Sequence, residues 1–345
     1  MSNMTVLKVP KKTLIGLGII IFTFMLFYYS SIVLQPASKL SDKRVEKLLH
    51  IKPGNTVNQI AYQLSEENII VDPLVFKLYL RFRGATAQVK AGYYRLSSKM
   101  TLKQIVNKLI RGEMASYKLT IPEGVTIENI AQRLAKKGLK EEKVLAVAKN
   151  KEVKFINLAT KQRADLIYSL EGFLFPDTYQ IPYGSSPQDI IEIMLAGFKE
   201  QIEPLRPEIK ESKYNLFEIV TIASLIQAEG KLKKEFPLIS SVIYNRLAKG
   251  MRLQIDATVQ YVLPERKARL LYEDLKENSP YNTYLNSALP PGPINNPGLK
   301  AIKAALNPAQ TDYLYYVAIS EGKHEFSKTY QEHLKIQQKL KDSGK

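Results

Sequence analysis

The sequence contains no cysteine, no tryptophan and only three histidines in 345 residues. Without cysteine, neither a disulfide nor a thiolate metal site can form, and this composition suits a cytosolic or an exported protein equally. The histidines, His50, His324 and His333, show no paired-ligand spacing. We therefore expect no metal and no cofactor.

Acidic residues are fewer than basic ones. The chain has 50 lysines and arginines against 33 aspartates and glutamates, which gives a net charge of +17. Such an excess favours anionic surroundings: nucleic acid, phospholipid headgroups or an acidic cell-wall polymer.

Charge is absent from residues 13–38, and the apolar run 14–34 is long enough to span a bilayer. Lysines at 8, 11 and 12 precede it, and no Ala-x-Ala cleavage pattern follows. We predict an uncleaved anchor with the N-terminus inside, although the basic residues at 39, 43 and 44 weaken the charge asymmetry. Because a protein outside the membrane does not meet chromosomal DNA, we expect lipid or wall polymer as the partner, and no nucleic acid.

A repeated pattern predicts three threonine-capped amphipathic helices. Thr56, Thr101 and Thr126 are each followed by apolar residues at helical spacing. Short strands are predicted at residues 89–96 and 117–121. Units of strand and capped helix are consistent with a wall-binding module, but the same pattern also describes an ordinary helix start.

Residues 215–230 predict a buried helix. Asn215 and Glu218 have the spacing of a capping box, the following residues are apolar nearly all round, and Gly230 is expected to end the helix in a left-handed conformation. Glu229 lies in the last turn, where the helix dipole and apolar surroundings both raise a carboxyl pKa. A raised pKa suits a general acid. In the alternative, Glu229 points outward at a frayed helix end and has no role.

A short segment with alternating polar and apolar residues follows this helix. Residues 251–256 alternate strictly, which predicts a short strand whose polar face carries Arg252, Gln254 and Asp256. Asp256 is alternatively the N-cap of a helix over residues 257–263.

Two loops further along are rich in proline, glycine, asparagine and tyrosine, at residues 279–284 and 289–298. Loops on a rigid scaffold commonly carry binding, and tyrosine and asparagine can stack on and hydrogen-bond to sugars. In the segment 171–179, Phe173 and Phe175 are either sugar platforms or core residues.

These motifs, in this order, resemble the YceG-like family of endolytic lytic transglycosylases, which are membrane-anchored enzymes that cut nascent peptidoglycan. The matching pieces are Glu-Gly-Phe-Leu-Phe-Pro-Asp-Thr-Tyr at 171–179, Ala-Ser-Leu at 223–225 with Glu229, Ser-Val at 241–242, Asn-Arg-Leu at 245–247, Gly-Met-Arg-Leu-Gln at 250–254 with Asp256 and Thr258, Tyr-Asn-Thr-Tyr at 281–284, Leu-Pro-Pro-Gly at 289–292, Asn-Pro-Gly at 296–298, and Gly322 with His324 and Phe326.

The resemblance implies an α+β protein: a membrane-anchored chain with a small LysM-like α/β module before a mixed α+β lytic transglycosylase-like catalytic domain. The expected parts are a cytoplasmic tail (1–12), a transmembrane anchor (13–34), a linker (35–44), the LysM-like module (45–118), a connecting segment (119–165) and the catalytic domain (166–345).

The family's essential acid is the second glutamate of a Glu-x-Glu pair, which corresponds here to Gln227 and Glu229. The resemblance therefore implies that Glu229 is catalytic and that the matching polar residues contact the glycan. The family usually has Thr-Asp-Pro where this chain has Ile-Asp-Ala at 255–257. The expected substrate-binding residues are Asn245, Arg252, Gln254, Asp256, Tyr281, Asn282, Tyr284, Asn296 and His324.

The implied reaction needs one carboxyl group. Glu229 protonates the leaving oxygen of the β-1,4 bond between MurNAc and GlcNAc and then accepts the proton of the muramic C6 hydroxyl, which leaves a 1,6-anhydro end and terminates the strand. Two alternatives stand beside it: a hydrolytic muramidase with Asp256 as second carboxylate, and a catalytically idle wall-binding or divisome scaffold. Expected partners are peptidoglycan strands, the cytoplasmic membrane and cell-wall synthases or divisome and elongation proteins, with the catalytic domain outside the membrane.

Overall fold

A computed structural model describes residues 45–150, 165–320 and 322–342, together with residues 16, 19–25, 27–28, 31 and 35–37 near the N-terminus. The chain forms two compact units. The first comprises Met1–Tyr117 and Gln180–Gly184, and the second comprises Lys118–Tyr179 and Ser185–Lys345. The domain limits expected from the sequence stay predictions.

The predicted anchor is only partly covered by the described residues. Residues 19–25 and 27–28 are helical, and large apolar side chains such as Phe22 and Phe27 are exposed. Over the part of the chain that the structure describes, no helix has the length and apolar character that a bilayer crossing requires. The rest of the span 13–34, and the tail 1–12, lie outside the described residues, so the anchor stays a prediction.

The first unit is built on a two-stranded sheet covered by helices. Strands β1 (Glu46–Ile51) and β2 (Gly92–Ser97) pair antiparallel, with Glu46 opposite Ser97 and Ile51 opposite Gly92. Apolar side chains of both strands and all three helices form one core, which includes the fully buried Phe76 and Leu80. The elements are β1 (Glu46–Ile51), α1 (Val57–Glu66), α2 (Pro73–Phe82), a 3-10 turn (Thr86–Gln88), β2 (Gly92–Ser97) and α3 (Leu102–Arg111).

The three predicted threonine caps are confirmed. In each case the threonine hydroxyl accepts the backbone N–H three residues later, and that residue's side chain accepts the threonine N–H in return. Such a cap contributes on the order of 1 kcal/mol to the stability of a helix. The caps belong to Thr56 (α1), Thr101 (α3) and Thr126 (α4, Ile127–Ala135).

The second unit is mostly helical. The strands β3 (Ser116–Thr120) and β4 (Thr178–Pro182), each of which has residues in both units, pair with each other. Within the second unit, β5 (Tyr315–Ser320) and β6 (Lys323–Ser327) form an antiparallel hairpin. The mixture of helix and small sheets is consistent with the expected α+β class. The remaining helices are α5 (Glu141–Asn150), α6 (Pro187–Ile202), α7 (Arg206–Glu211), α8 (Leu216–Glu229), α9 (Phe236–Ala248), α10 (Asp256–Val262), α11 (Leu299–Leu306) and α12 (Tyr330–Asp342), with 3-10 turns at Glu203–Leu205, Lys233–Glu235 and Asp274–Lys276.

Helix α8 lies at the centre of the second unit. All its residues from Ile219 to Ile226 are buried, and it packs against α9, α10 and α11. The Glu218 N–H donates to Asn215 Oδ1 at 3.1 Å, and the Asn215 N–H donates to the Glu218 carboxylate at 2.9 Å. The buried helix and its capping box were both predicted from the sequence, and both are confirmed.

The expected left-handed end of this helix is wrong. Gly230 has φ −88° and ψ 121°, an extended conformation that any residue can adopt. A Cβ atom at this position would lie 2.5 Å from Phe236 Cε1. Glycine is therefore required here for close packing and not for a positive φ.

The strand predicted at residues 251–256 is also absent. Leu253 and Ile255 are buried and the polar residues between them are exposed, so the alternation of faces is real. Gln254, however, has φ +52°, which interrupts an extended backbone, and the carbonyl of Leu253 accepts a hydrogen bond from the Arg246 guanidinium at 2.6 Å. Tertiary contacts with an arginine replace the ladder that a neighbouring strand would supply.

Gly172 lies in close contact with α8. It has φ +88°, and an added Cβ would lie 2.6 Å from Pro293 Cβ and 2.7 Å from Val220 Cγ1. Gly138 has a similar φ of +91° but nothing within 4 Å of the added atom. We expect Gly138→Ala to cost about 1–2 kcal/mol from backbone strain alone, and Gly172→Ala to cost about 1–3 kcal/mol more from crowding. Urea unfolding of the two variants measures the difference, and equal losses would show that the packing around Val220 accepts a methyl group.

Candidate active site

The C-terminal end of α8 places Glu229 against the β5–β6 hairpin. The Tyr316 hydroxyl donates to Glu229 Oε2 at 2.9 Å, and the carboxyl side chain is partly buried. Burial raises the pKa of Glu229, and the negative charge of Asp256 acts in the same direction. The Tyr316 hydrogen bond and the charges of His324 and Arg246 oppose the rise without cancelling it. The raised pKa that the sequence predicted is therefore confirmed, with burial as the main cause.

Asp256 supplies a second carboxylate at this site. It is the first residue of α10 and is exposed, and its Oδ1 accepts the Tyr284 hydroxyl at 2.5 Å. The alternative role as a helix cap is wrong, because Ile255 occupies the N-cap position and no side chain caps this helix. Burial raises the pKa of the Tyr284 phenol, and Asp256 and Glu229 raise it further. The structure thus brings the predicted residues Glu229, Asp256 and Tyr284 within electrostatic range of one another.

Arg246 connects the segment 251–255 to strand β5. Its Nε donates to the Leu314 carbonyl at 2.7 Å, its Nη1 donates to the Leu253 carbonyl at 2.6 Å, and its guanidinium lies 5.3 Å from the Tyr315 ring centroid. The same cation opposes the rise in the pKa of Glu229 that burial causes. Arg246 and Tyr316 were not among the expected site residues. Arg246 stands in the Asn-Arg-Leu motif, whereas no sequence signal marks Tyr316.

His324 lies behind the site as part of a buried pair. Its Nδ1 is 2.9 Å from Glu235 Oε2, and its backbone N–H donates to the same oxygen at 3.1 Å. Both side chains are less than a tenth exposed. The imidazole meets the Tyr316 ring edge to face, with centroids 5.4 Å apart. This geometry makes His324 a support for Tyr316, and the expected contact with substrate stays a prediction.

Several other expected binding residues hold loops in place. Asn245 Nδ2 donates to the carbonyls of Thr311 and Tyr313 at 2.8 and 3.0 Å, and the Asn282 amide donates to two carbonyls in the same way. Their amides are thereby committed to the protein's own backbone. The buried members are Asn282, Asn296 and Tyr281, Asn245 is partly buried, and Arg252 and Gln254 are exposed.

Glu171 is a buried carboxyl group outside this site. Its oxygens accept the Ile127 N–H at 3.2 Å, the Tyr261 hydroxyl at 3.1 Å and the Asn296 amide at 3.0 Å. Burial raises its pKa to about 8, although the hydrogen bonds from Ile127 and Tyr261 oppose the rise. The stability that the neutral acid contributes is therefore present at low pH and is lost as the pH rises through this value. Glu171 joins the start of α4, helix α10 and the loop 289–298.

Gln227, which the sequence resemblance matches to the family's first glutamate, packs against two loops. Its Oε1 accepts the Gly298 N–H at 3.1 Å, and its Cγ lies 3.3 Å from where a Cβ would stand on Gly124. The side chain therefore fastens two loops to the last turn of α8, a role that an amide oxygen performs without a second negative charge near Glu229.

Removal of the Tyr316 hydroxyl tests the electrostatic balance at Glu229. Because that hydrogen bond favours the ionised carboxylate, we expect Tyr316→Phe to raise the pKa of Glu229 further. NMR titration of the Glu229 side-chain carboxyl measures this directly. Tyr284→Phe is the matched control, since it removes a phenol bonded to Asp256 instead, and the pKa of Glu229 should change less. An unchanged titration in Tyr316→Phe would contradict the role given to this hydrogen bond.

Comparisons with known proteins agree on one family. The sequence model of the YceG-like family matches residues 49–339. A Bacillus subtilis (strain 168) protein named endolytic murein transglycosylase is 37% identical over 327 residues, covering 91% of this chain and 89% of its own length. A Streptococcus pneumoniae (strain D39) protein of the same name is 33% identical over 310 residues, and the match covers 82% of this chain and 56% of that protein.

A solved structure is similar as well. The crystal structure of a YceG-like protein from Listeria monocytogenes superposes with a TM-score of 0.58 at 36% identity. The match covers 85% of this chain and 100% of that chain.

Proposed function

The chain belongs to the YceG-like family, and we propose that it is an endolytic lytic transglycosylase that cuts peptidoglycan with Glu229 as its general acid and base. The observation that carries the proposal is the partly buried Glu229 carboxyl with its raised pKa and its hydrogen bond from Tyr316. The relatives named endolytic murein transglycosylase support the substrate class.

Because its pKa is raised, Glu229 stays protonated up to a higher pH than an ordinary glutamate does. That proton goes to the leaving oxygen of the β-1,4 bond between MurNAc and GlcNAc as the bond breaks. The resulting carboxylate then takes the proton from the muramic C6 hydroxyl, whose oxygen bonds to C1. The product is a 1,6-anhydro end, no water is consumed, and Glu229 is protonated again. Tyr316 fixes the orientation of the carboxyl through both steps.

Asp256 gives a second candidate, hydrolysis. Two carboxylates are what a hydrolytic glycosidase requires, one to protonate the leaving oxygen and one to activate water or attack carbon. Asp256 is exposed and accepts a hydrogen bond from the Tyr284 hydroxyl, and its negative charge contributes to the raised pKa of Glu229. A muramidase would leave reducing ends in place of anhydro ends.

Substitution of the two carboxylates separates the mechanisms. We expect Glu229→Gln to lower the cutting rate by about 10²–10⁴, because it removes a positioned proton donor. Asp256→Asn should cost much less in the one-carboxyl reaction. In a hydrolase it should cost about as much as Glu229→Gln. The measurement is the rate and the end-group analysis of intact glycan strands.

Glu218→Gln is the matched control, because Gln also completes a capping box at the opposite end of α8. It should leave the cutting rate unchanged. Anhydro ends formed at a near-normal rate by Glu229→Gln would overturn the assignment.

We also propose that residues 13–34 anchor the protein in the cytoplasmic membrane with the catalytic unit outside, in the periplasm if an outer membrane is present. The uncharged run and the lysines before it support this. Contacts with cell-wall synthases or divisome and elongation proteins follow from the family resemblance alone. A LysM-like role for residues 45–118 stays a prediction.

A reporter that is active only outside the cytoplasm, fused after Lys345, tests the topology. We expect an active reporter that sediments with membranes, because an uncharged span behind a basic tail directs the C-terminus outward. The same fusion without residues 14–34 should be inactive. A soluble product that lacks residues 1–35 would instead show a cleaved leader.

A further inference from the structure

An open groove of about 690 Å³ lies within the second unit, beside strand β3 and helix α4. Two apolar residues, Leu119 and Val125, contribute to its lining, and the other lining residues are polar or basic. The side chains that give it its character are Lys118, Asn129, Gln132, Arg133, Lys136 and Lys137.

The groove is positively charged and carries no acid among its lining residues. Across residues 45–150, 165–320 and 322–342, Lys118, Arg133 and Lys136 form no salt bridge. The acidic residue of α4, Glu128, does not line the groove and accepts the Tyr168 hydroxyl at 3.1 Å. Cations that stand together without counter-charges repel one another and favour an anionic ligand.

The amides in the groove narrow the class of ligand. Gln132 offers a donor and an acceptor, and Asn129, whose oxygen accepts the Thr126 N–H, offers the donors of its amide nitrogen. Together these groups match a peptide backbone. Lysine and arginine beside them match carboxylates. The hydroxyl and N-acetyl groups of a glycan backbone are uncharged and need no such concentration of positive charge, whereas a short peptide with free carboxylates uses both features.

A loop connects the groove with the helix that carries Glu229. The Val125 carbonyl accepts the Asn296 N–H at 2.9 Å, and the preceding Gly124 lies against the Gln227 side chain. Gln227 is two residues before Glu229 on α8. One loop therefore forms a wall of the groove and contacts the last turn of α8, so the groove and Glu229 belong to one packed part of the second unit.

We propose that this groove binds the free carboxylates of the stem peptides carried by the glycan strand at Glu229. The identity of the polymer rests on the proposed function. The charge and the amides of the groove do not depend on it. The groove thus makes the enzyme favour strands that still carry their peptides.

Binding to two forms of one glycan tests the proposal. Full-length protein carrying Glu229→Gln, which prevents cutting, is titrated with peptide-bearing strands freed of phosphate polymers. It is also titrated with stripped strands, from which amidase has removed the peptides and in which the lactyl carboxylates that this hydrolysis exposes have been converted to methylamides. We expect Arg133→Glu with Lys136→Glu to weaken binding of the peptide-bearing strands about tenfold and to leave binding of the stripped strands unchanged. Added salt should reduce the difference, because it screens exposed charges.

Matched controls separate charge from folding. Lys199→Glu with Lys210→Glu reverses two exposed cations at another groove of the same unit and should bind both strands like the parent. Arg133→Gln with Lys136→Gln removes charge without placing acids near the C-terminal end of α4, and should weaken binding of peptide-bearing strands about threefold with an unchanged melting temperature.

Three outcomes would overturn the proposal: equal weakening on both strands, no weakening on either, or a loss seen only with added phosphate-bearing wall polymer. A cutting assay on stripped strands, with Glu229 restored, distinguishes failure of the groove proposal from failure of the proposed function. Protein with Arg133→Glu and Lys136→Glu should cut stripped strands at the normal rate. If the unaltered protein cuts neither strand, the proposed function fails while the binding comparison still decides the groove.

Discussion

The burial of α8 is the constraint on which the second unit depends. A helix that is apolar on every side has to be enclosed, and each fully buried isoleucine or leucine contributes about 1.5–3 kcal/mol. Helices α9, α10 and α11 provide that enclosure. The one ionisable residue in the last turn of α8, Glu229, is consequently carried to the edge of the core, where its side chain is partly buried. The position of the acid is a product of hydrophobic packing.

The groups around Glu229 have opposite effects on its pKa. Burial and the charge of Asp256 favour the protonated form, while the Tyr316 hydroxyl and electrostatic interactions with His324 and Arg246 favour the ionised form. A general acid that becomes a base in the same reaction has to be accessible in both states, and a balance of this kind provides that. The support for Tyr316 comes from the His324–Glu235 pair, so the orientation of the phenol depends on two side chains that are less than a tenth exposed.

Local signals predicted the helices well and the irregular segments poorly. The capping boxes at Thr56, Thr101 and Asn215 involve residues three apart in sequence, so the sequence contains the whole interaction. The segment 251–256 has the alternation of a strand. Its backbone is not extended throughout, however, because Gln254 has a positive φ, and the Leu253 carbonyl is bonded to the Arg246 side chain and not to a neighbouring strand. An alternating pattern indicates which side chains are buried, but it does not indicate which groups form hydrogen bonds with the backbone.

The sequence by itself determined that α8 is buried, where it begins, and that Glu229 is the carboxylate in its last turn, because these depend on composition and short-range spacing. Tertiary structure decided what surrounds that carboxylate. Tyr316 is 87 residues from Glu229 in the chain, and Tyr284 is 28 residues from Asp256. No periodicity connects such pairs. They meet because α8, the β5–β6 hairpin and the loop 279–284 pack together, and that packing also turned several expected binding asparagines inward to satisfy backbone carbonyls.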